Sequence, residues 1–393
     1  MERFIPLSVP NFEGNEKKYV MEAIESTWVS TGGGYIKKLE GQLAGFLNTA
    51  DVAACQSGTA ALHLSLVDAG VGPGDVVLVP PLTFIAAVNP VKYQFATPVF
   101  IDCDDSLCMD PEKLKCFCEK ECSCKGGGLT YRGRPVKAVI VVHVFGNMAD
   151  MEGIMETAGR YGLKVIEDAT EALGSCCLTG AYRGKYAGTI GDYGAFSFNG
   201  NKIITTGGGG AATAKEGKDV AHIRYLSTQA KDDGEFYIHH EVGYNYRMTN
   251  LQAALGVAQM EELPEFIRRK QENYERYREI FDGFALARLM GFRDGTAPNK
   301  WFYSLLIDRG KVRASMGEVI GALKDEGVQA RAVWGLIHEQ RPYGGEDTYM
   351  LEKAPYYFPR VLNIPCSTQL TEDDIAYVGT CIKRVLEGLA DGT

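Results

Sequence analysis

Between Val52 and Ala214, short apolar runs alternate with helix-patterned segments. The runs are Val52–Cys55, Val76–Val79, Pro98–Ile101, Ala138–Val142, Leu163–Glu167, Tyr193–Phe198 and Ala211–Ala214. They are too short for ordinary helices and read as buried strands. Ala60–Ala69, Ile85–Tyr93 and Met151–Tyr161 carry helical patterning between them. Buried strands joined through helices form sheets covered on both faces. The alternation therefore predicts an α/β fold with a mostly parallel, seven-stranded sheet.

Upstream, Glu13–Glu25 and Tyr35–Leu47 read as helices, separated by the glycine loop Thr27–Gly34, TWVSTGGG. Beyond Thr249 the character changes. Asn250–Met260 is an apolar helix, and Glu261–Phe281 a long charged one that looks like a connector. Strand-like Trp301–Ile307 and the helices Met316–Glu326 and Thr371–Leu389 follow. This predicts a large domain over residues 1–260 and a smaller α+β domain over residues 261–393. A chain of 393 residues is long enough for both.

The formal net charge of −9 gives no bulk attraction to nucleic acid or an anionic membrane, and neither is an expected partner. An anionic ligand must then be met by local donors. No stretch approaches the ~18 apolar residues of a membrane span, and the N-terminus lacks the shape of a signal peptide. With no secretion signal, the eleven cysteines read as reduced, and a cytoplasmic protein is expected. Cys116, Cys118, Cys122 and Cys124 crowd an irregular insert, Cys116–Arg134, as C-x-C-x₃-C-x-C. Four thiolates can hold zinc, but structural zinc sites use C-x₂₋₄-C pairs with a longer gap between them. The free-thiol reading is preferred, and no metal is expected.

Chemistry concentrates around Gly194–Gly210, GAFSFNGNKIITTGGGG. Its single lysine, Lys202, lies between a stiff aromatic run and a flexible glycine tract. Asp168 ends the apolar run Leu163–Asp168, at the edge of an α/β sheet where ligands bind. Alone it reads equally well as a helix N-cap. A lysine amine and a strand-end carboxylate are together what pyridoxal 5'-phosphate needs. The amine carries the cofactor, and the carboxylate keeps its ring nitrogen protonated. Ser57, Gly58 and Thr59 open a helix after a strand, as an anion site or as a plain capped turn. Phe84 follows the next strand and can face an aromatic cofactor or enter the core. Ser197, five residues before Lys202, can turn its hydroxyl to the same phosphate.

In order and spacing, these segments resemble the DegT/DnrJ/EryC1/StrS group of fold-type I, pyridoxal-phosphate-dependent sugar aminotransferases. The resemblance covers nearly the whole chain. It rests on TWVSTGGG, SGTAALHLSL, PPLTFIA, VHVFGN, VIEDATEALGS, GDYGAFSFNGNKIITTGGGG, GYNYRMTNLQAALG and LIHEQRPY. Within the group it looks most like the branch serving legionaminic-acid-type glycans. The resemblance implies that Lys202 carries the cofactor and Asp168 faces the ring nitrogen. It implies that Gly58, Thr59 and Ser197 hold the phosphate and that Phe84 stacks on the ring. Asn245 would reach the phosphate of a neighbouring subunit, which implies a homodimer with shared active sites. Many relatives have glutamine or histidine where this chain has Glu171, near the cofactor's phenolic oxygen. A carboxylate facing a phenolate is repulsive unless one of them is protonated.

His143 in VVHVFGN and His338 in LIHEQRPY are candidates for substrate contact or for structural roles. Arg247 can hold a diphosphate or close a loop salt bridge. The reading that emerges is amino transfer from L-glutamate to a nucleotide-linked 4-keto-6-deoxy sugar for a bacterial surface glycan. Competing readings are another fold-type I enzyme, such as a cysteine desulfurase, and a regulatory protein that binds the cofactor without turnover. The first needs a mobile cysteine in a glycine-rich loop near the site, which the chain lacks.

Overall fold

The main sheet forms where the apolar runs predict it. The structure, a computed structural model, describes residues 3–125 and 128–390. The strands are β1 (Ala53–Cys55), β2 (Val76–Val79), β3 (Thr97–Ile101), β4 (Arg134–Val142), β5 (Lys164–Asp168), β6 (Tyr193–Ser197) and β7 (Gly210–Ala214). Their order is β1-β7-β6-β5-β4-β2-β3. Only β7 runs antiparallel to its neighbours; the other pairs are parallel. The central strands are buried along nearly their whole length, which suits β-branched runs packed on both faces.

The sheet is larger than expected, with ten strands. A hairpin, Cys122–Lys125 with Gly128–Tyr131, pairs onto the start of β4. Gly126 and Gly127 of that insert lie outside the described residues. The C-terminal part supplies β8 (Ala287–Leu289), β9 (Tyr303–Ile307), β10 (Arg331–Ala332), β11 (Thr348–Tyr349) and β12 (Val361–Ile364). Four of these make a separate antiparallel sheet, β8-β9-β12-β10. The fifth, β11, joins the edge of the main sheet beside β3. Asp102, next after β3, secures it by accepting from the N–H groups of Glu352, Lys353 and Ala354 at 2.8, 2.8 and 2.9 Å.

Two helices matter for the site. α1 (Gly58–Asp68) follows β1, is buried on almost every side, and packs on β6 and β7. α2 (Asn250–Phe281) is one helix of 32 residues rather than the apolar and charged helices read from the sequence. The change in composition near Met260 marks a change in what the helix touches, not a break. Thr249 and Gln252 close its N-terminus as a capping box. Among the described residues, no helix is long and apolar enough to cross a membrane.

Candidate active site

The N-terminus of α1 opens into a cavity of about 510 Å³. Ser57 caps the helix, its side chain accepting from Ala60 N at 3.0 Å. That leaves the N–H groups of Gly58 and Thr59 without a protein acceptor among the described residues, facing the cavity. Gly58 is there because nothing larger fits. A Cβ would stand 2.8 Å from Thr170 Cγ2 and 2.9 Å from Ser197 Cβ.

β5 and β6 end at this cavity and carry Asp168 and Ser197 into it. Asp168 is buried, and one of its oxygens accepts from Thr170 N at 3.0 Å. Burial pushes its carboxyl above the usual carboxylate range, against the Thr170 donors and the charge of Lys202. Lys202 follows β6 and its amine sits between two groups. Glu171 Oε1 is 3.5 Å away, and the centre of the Trp301 ring is 3.9 Å away. Phe84 lines the same cavity and is 56% exposed there, as an open platform rather than a core residue.

Glu171 is buried as well, and its second oxygen accepts from Phe145 N at 2.8 Å. Burial drives its carboxyl up to about 7, while Lys202 and the Phe145 N–H pull the other way. Near neutrality the carboxyl is therefore divided between acid and anion, which lessens the repulsion expected of a carboxylate at this position.

The opposite wall comes from the C-terminal part: Trp301, Phe302, Arg331, Ala332, Trp334 and Asn363. Asn299 fixes this wall to the floor. Its Nδ2 donates to the carbonyls of Glu171 and Leu173 at 2.9 and 3.0 Å, and its Oδ1 accepts from Trp301 N at 3.0 Å. Trp301 Nε1 donates to Asn201 O at 2.7 Å, beside Lys202. None of these wall residues was singled out from sequence. Their only local signal is the aromatic cluster Trp301–Tyr303, which reads as ordinary strand.

Four predicted residues lie elsewhere. His143 is fully buried behind Asp168. Its Nδ1 accepts from Ala149 N at 3.1 Å, so Nε2 carries the proton and donates to Glu167 at 2.8 Å. His338 packs by Phe100 with its Nδ1 buried and unpartnered, and burial lowers its pKa. Neither histidine lines the cavity. Arg247 forks onto Glu40 at 2.5 and 3.1 Å and donates to Ala54 O, so the salt-bridge reading holds and its guanidinium is already engaged. Asn245 and Arg247 border a separate cleft of about 720 Å³ with Thr31, Lys231 and Tyr237. A polar cleft of about 750 Å³ around Asp104, Arg293 and Glu152 is also apart from Lys202. All eleven cysteines are free, and among the described residues no three His, Cys, Asp or Glu side chains gather to hold a metal.

The cavity fits pyridoxal phosphate by the chemistry of its donors. Free N–H groups at the end of an 11-residue helix, with the Ser197 hydroxyl, match a phosphate. The Asp168 carboxyl at the end of β5 matches a protonated ring nitrogen, and Phe84 matches a ring face. Lys202 supplies the amine.

The profile of the DegT/DnrJ/EryC1/StrS aminotransferase family matches residues 10–383. The GDP-perosamine synthase of Caulobacter vibrioides is 38% identical over 391 residues, spanning 97% of this chain and 98% of its own. EpsN of Bacillus subtilis, ascribed to the pyridoxal phosphate-dependent aminotransferases, is 36% identical over 381 residues, or 95% of this chain and 94% of its own. Among solved structures, DesI in the presence of its TDP-sugar product matches with a TM-score of 0.87 at 26% identity, covering 99% of this chain and 94% of DesI.

Proposed function

The chain belongs to the DegT/DnrJ/EryC1/StrS aminotransferase family of pyridoxal-phosphate enzymes, and from that premise we propose that it aminates a nucleotide-linked 4-keto-6-deoxy sugar with L-glutamate as donor. The observation that carries this is the meeting of Lys202, Asp168 and the N-terminus of α1 in one cavity. The product would be a 4-amino sugar for a surface glycan, with 2-oxoglutarate released. The GDP-perosamine synthase among the relatives supports a nucleotide-linked sugar as the acceptor. The legionaminic-type branch has no support in the relatives named above.

When bound, pyridoxal phosphate supplies an electron-withdrawing ring that stabilises charge developing at the substrate carbon. The protein does the rest. Gly58, Thr59 and Ser197 would hold the phosphate, and Asp168 would hold the proton on the ring nitrogen. Lys202 removes the proton from the donor's α-carbon and, in the second half-reaction, delivers one to C4 of the sugar. Glu171 would stand near the phenolic oxygen, where a carboxyl raised to about 7 lessens the repulsion. Trp301, its ring centre 3.9 Å from Lys202 Nζ, covers one side of the reacting amine.

Asn245 stands away from the cavity of its own chain. This supports its assignment to the phosphate of a second subunit, in a homodimer with shared sites. Free thiols throughout support a cytoplasmic location. The test is the absorbance of the cofactor-loaded protein on adding glutamate. Conversion to the pyridoxamine form with release of 2-oxoglutarate is expected, and an unchanged spectrum would sink the glutamate reading.

A further inference from the structure

Strand β9 has the cavity of Lys202 at one end and a cationic cleft at the other. Trp301 and Phe302, just before the strand, line the cavity. Leu306 and Ile307, at its far end, line a cleft of about 390 Å³. Three arginines meet there: Arg288 on β8, Arg309 just past β9 and Arg360 just before β12. None of the three makes an ion pair among the described residues. Arg309 Nη1 donates to the carbonyls of Val312 and Ala314 at 3.3 and 2.6 Å. Arg360 Nη1 donates to Tyr356 O at 2.7 Å, and its guanidinium lies 4.0 Å from the centre of the Tyr356 ring. The other N–H groups of these two guanidiniums, and all of those of Arg288, have no acceptor among the described residues. Asp308 also lines the cleft, but its carboxylate is engaged in its own turn, by Gly310 N at 2.9 Å and Lys311 Nζ at 3.4 Å. Asp105, whose charge Arg288 feels, is already held by Lys353 Nζ at 2.6 Å and Tyr357 OH at 2.8 Å.

Like charges gathered in one cleft repel, and partial burial adds to the cost. Arg309 shows both effects: burial, and then the charge of Arg360, pull its pKa below the usual arginine range. An anion in the cleft would relieve them. We propose that this cleft is a further anion site, taking a diphosphate group, apart from the cavity of Lys202. Guanidinium forks match phosphate oxygens. Three of them, carried by three neighbouring strands, suit a ligand with several charged oxygens, whereas a lone carboxylate needs only one fork. The formal net charge of the chain is −9, so this excess of cations is local and not part of a generally basic surface. The cleft shares no lining residue with the cavity of Lys202, so a ligand in one leaves the other open.

The test is calorimetric titration of the full-length, cofactor-loaded enzyme with inorganic pyrophosphate; loading keeps the probe from the phosphate seat at α1. Titrations with GDP and with citrate form the second and third arms. Arg288→Gln should fold normally, because the Arg288 guanidinium has no protein partner, and Arg360→Lys keeps the charge without the fork. Pyrophosphate should bind the wild type, and loss of charge-assisted hydrogen bonds should weaken it at least about tenfold in Arg288→Gln and in Arg360→Gln, with partial recovery in Arg360→Lys. The spectral response of the loaded enzyme to glutamate should be the same in Arg288→Gln as in the wild type. GDP weakened in the same variants marks a diphosphate carried on a nucleotide, and GDP unaffected marks the free ion; either supports the site. Wild-type enzyme that binds neither pyrophosphate nor GDP at millimolar concentration, pyrophosphate affinity equal in wild type and Arg288→Gln, or citrate bound more tightly than pyrophosphate would overturn it.

Discussion

Glu171 Oε1 stands 3.5 Å from Lys202 Nζ, with Glu171 buried and Lys202 partly buried at the cavity wall. This pair concentrates the acid–base chemistry of the site, and it makes a pH-dependent signature.

The Glu171 carboxyl is raised from 4.5 to about 7, chiefly by burial. In that window the folded protein binds the proton more tightly than the unfolded chain, so stability falls as pH rises from 4.5 to 7. Glu171→Gln removes this dependence. Urea midpoints of the cofactor-free proteins should show the variant gaining on wild type across the window, by on the order of a few kcal/mol at most. A difference that stays constant with pH would place the proton elsewhere.

Gly58→Ala should damage both fold and site. The added methyl would press on Thr170, on Ser197 and, at 3.2 Å, on the Phe196 carbonyl. Overpacking of this kind costs about 1–3 kcal/mol, and the shift falls on the helix end proposed to seat the phosphate. Thermal melting should drop and cofactor dissociation should quicken. A variant with wild-type melting and wild-type cofactor affinity would show that the cradle has slack which the structure does not.

Much of this was legible in the chain. Asp168, Ser197 and Lys202 sit at or just past strand ends, and an apolar run announces a strand's end as clearly as its body. Ser57, Gly58 and Thr59 open a helix with a capping residue, a local signal. The far wall was not legible. Trp301, Arg331, Trp334 and Asn363 come to the cavity of Lys202 from the C-terminal part of the chain, and no local periodicity encodes that. β11 was missed because a two-residue strand has no period to read; its place depends on Asp102 gripping the turn behind it. The break expected at Met260 was a change of neighbours along one helix. Arg247 reads equally as a diphosphate contact or a loop salt bridge until folding brings Glu40 to it from a distant helix.

Asn245 allows a test of shared sites. Lys202→Ala and Asn245→Asp should each be inactive as homodimers, the second because a carboxylate would face the phosphate. Dissociated and re-annealed together, they form mixed dimers in which one site carries both lesions and the other neither. Activity should recover to about a quarter of wild type per chain under random pairing and independent sites. No recovery, with mixed dimers demonstrated, would remove the argument that each site draws on two chains.

Transfer of labelled nitrogen tests the central claim most directly. The cofactor-loaded enzyme is incubated with isotopically labelled L-glutamate and a panel of nucleotide-linked keto sugars, and the products are weighed by mass spectrometry. A 4-keto-6-deoxy sugar nucleotide should return as an amino sugar carrying the label, and Lys202→Ala should give none. Label in no sugar of the panel, or transfer by Lys202→Ala at the wild-type rate, would contradict the assignment.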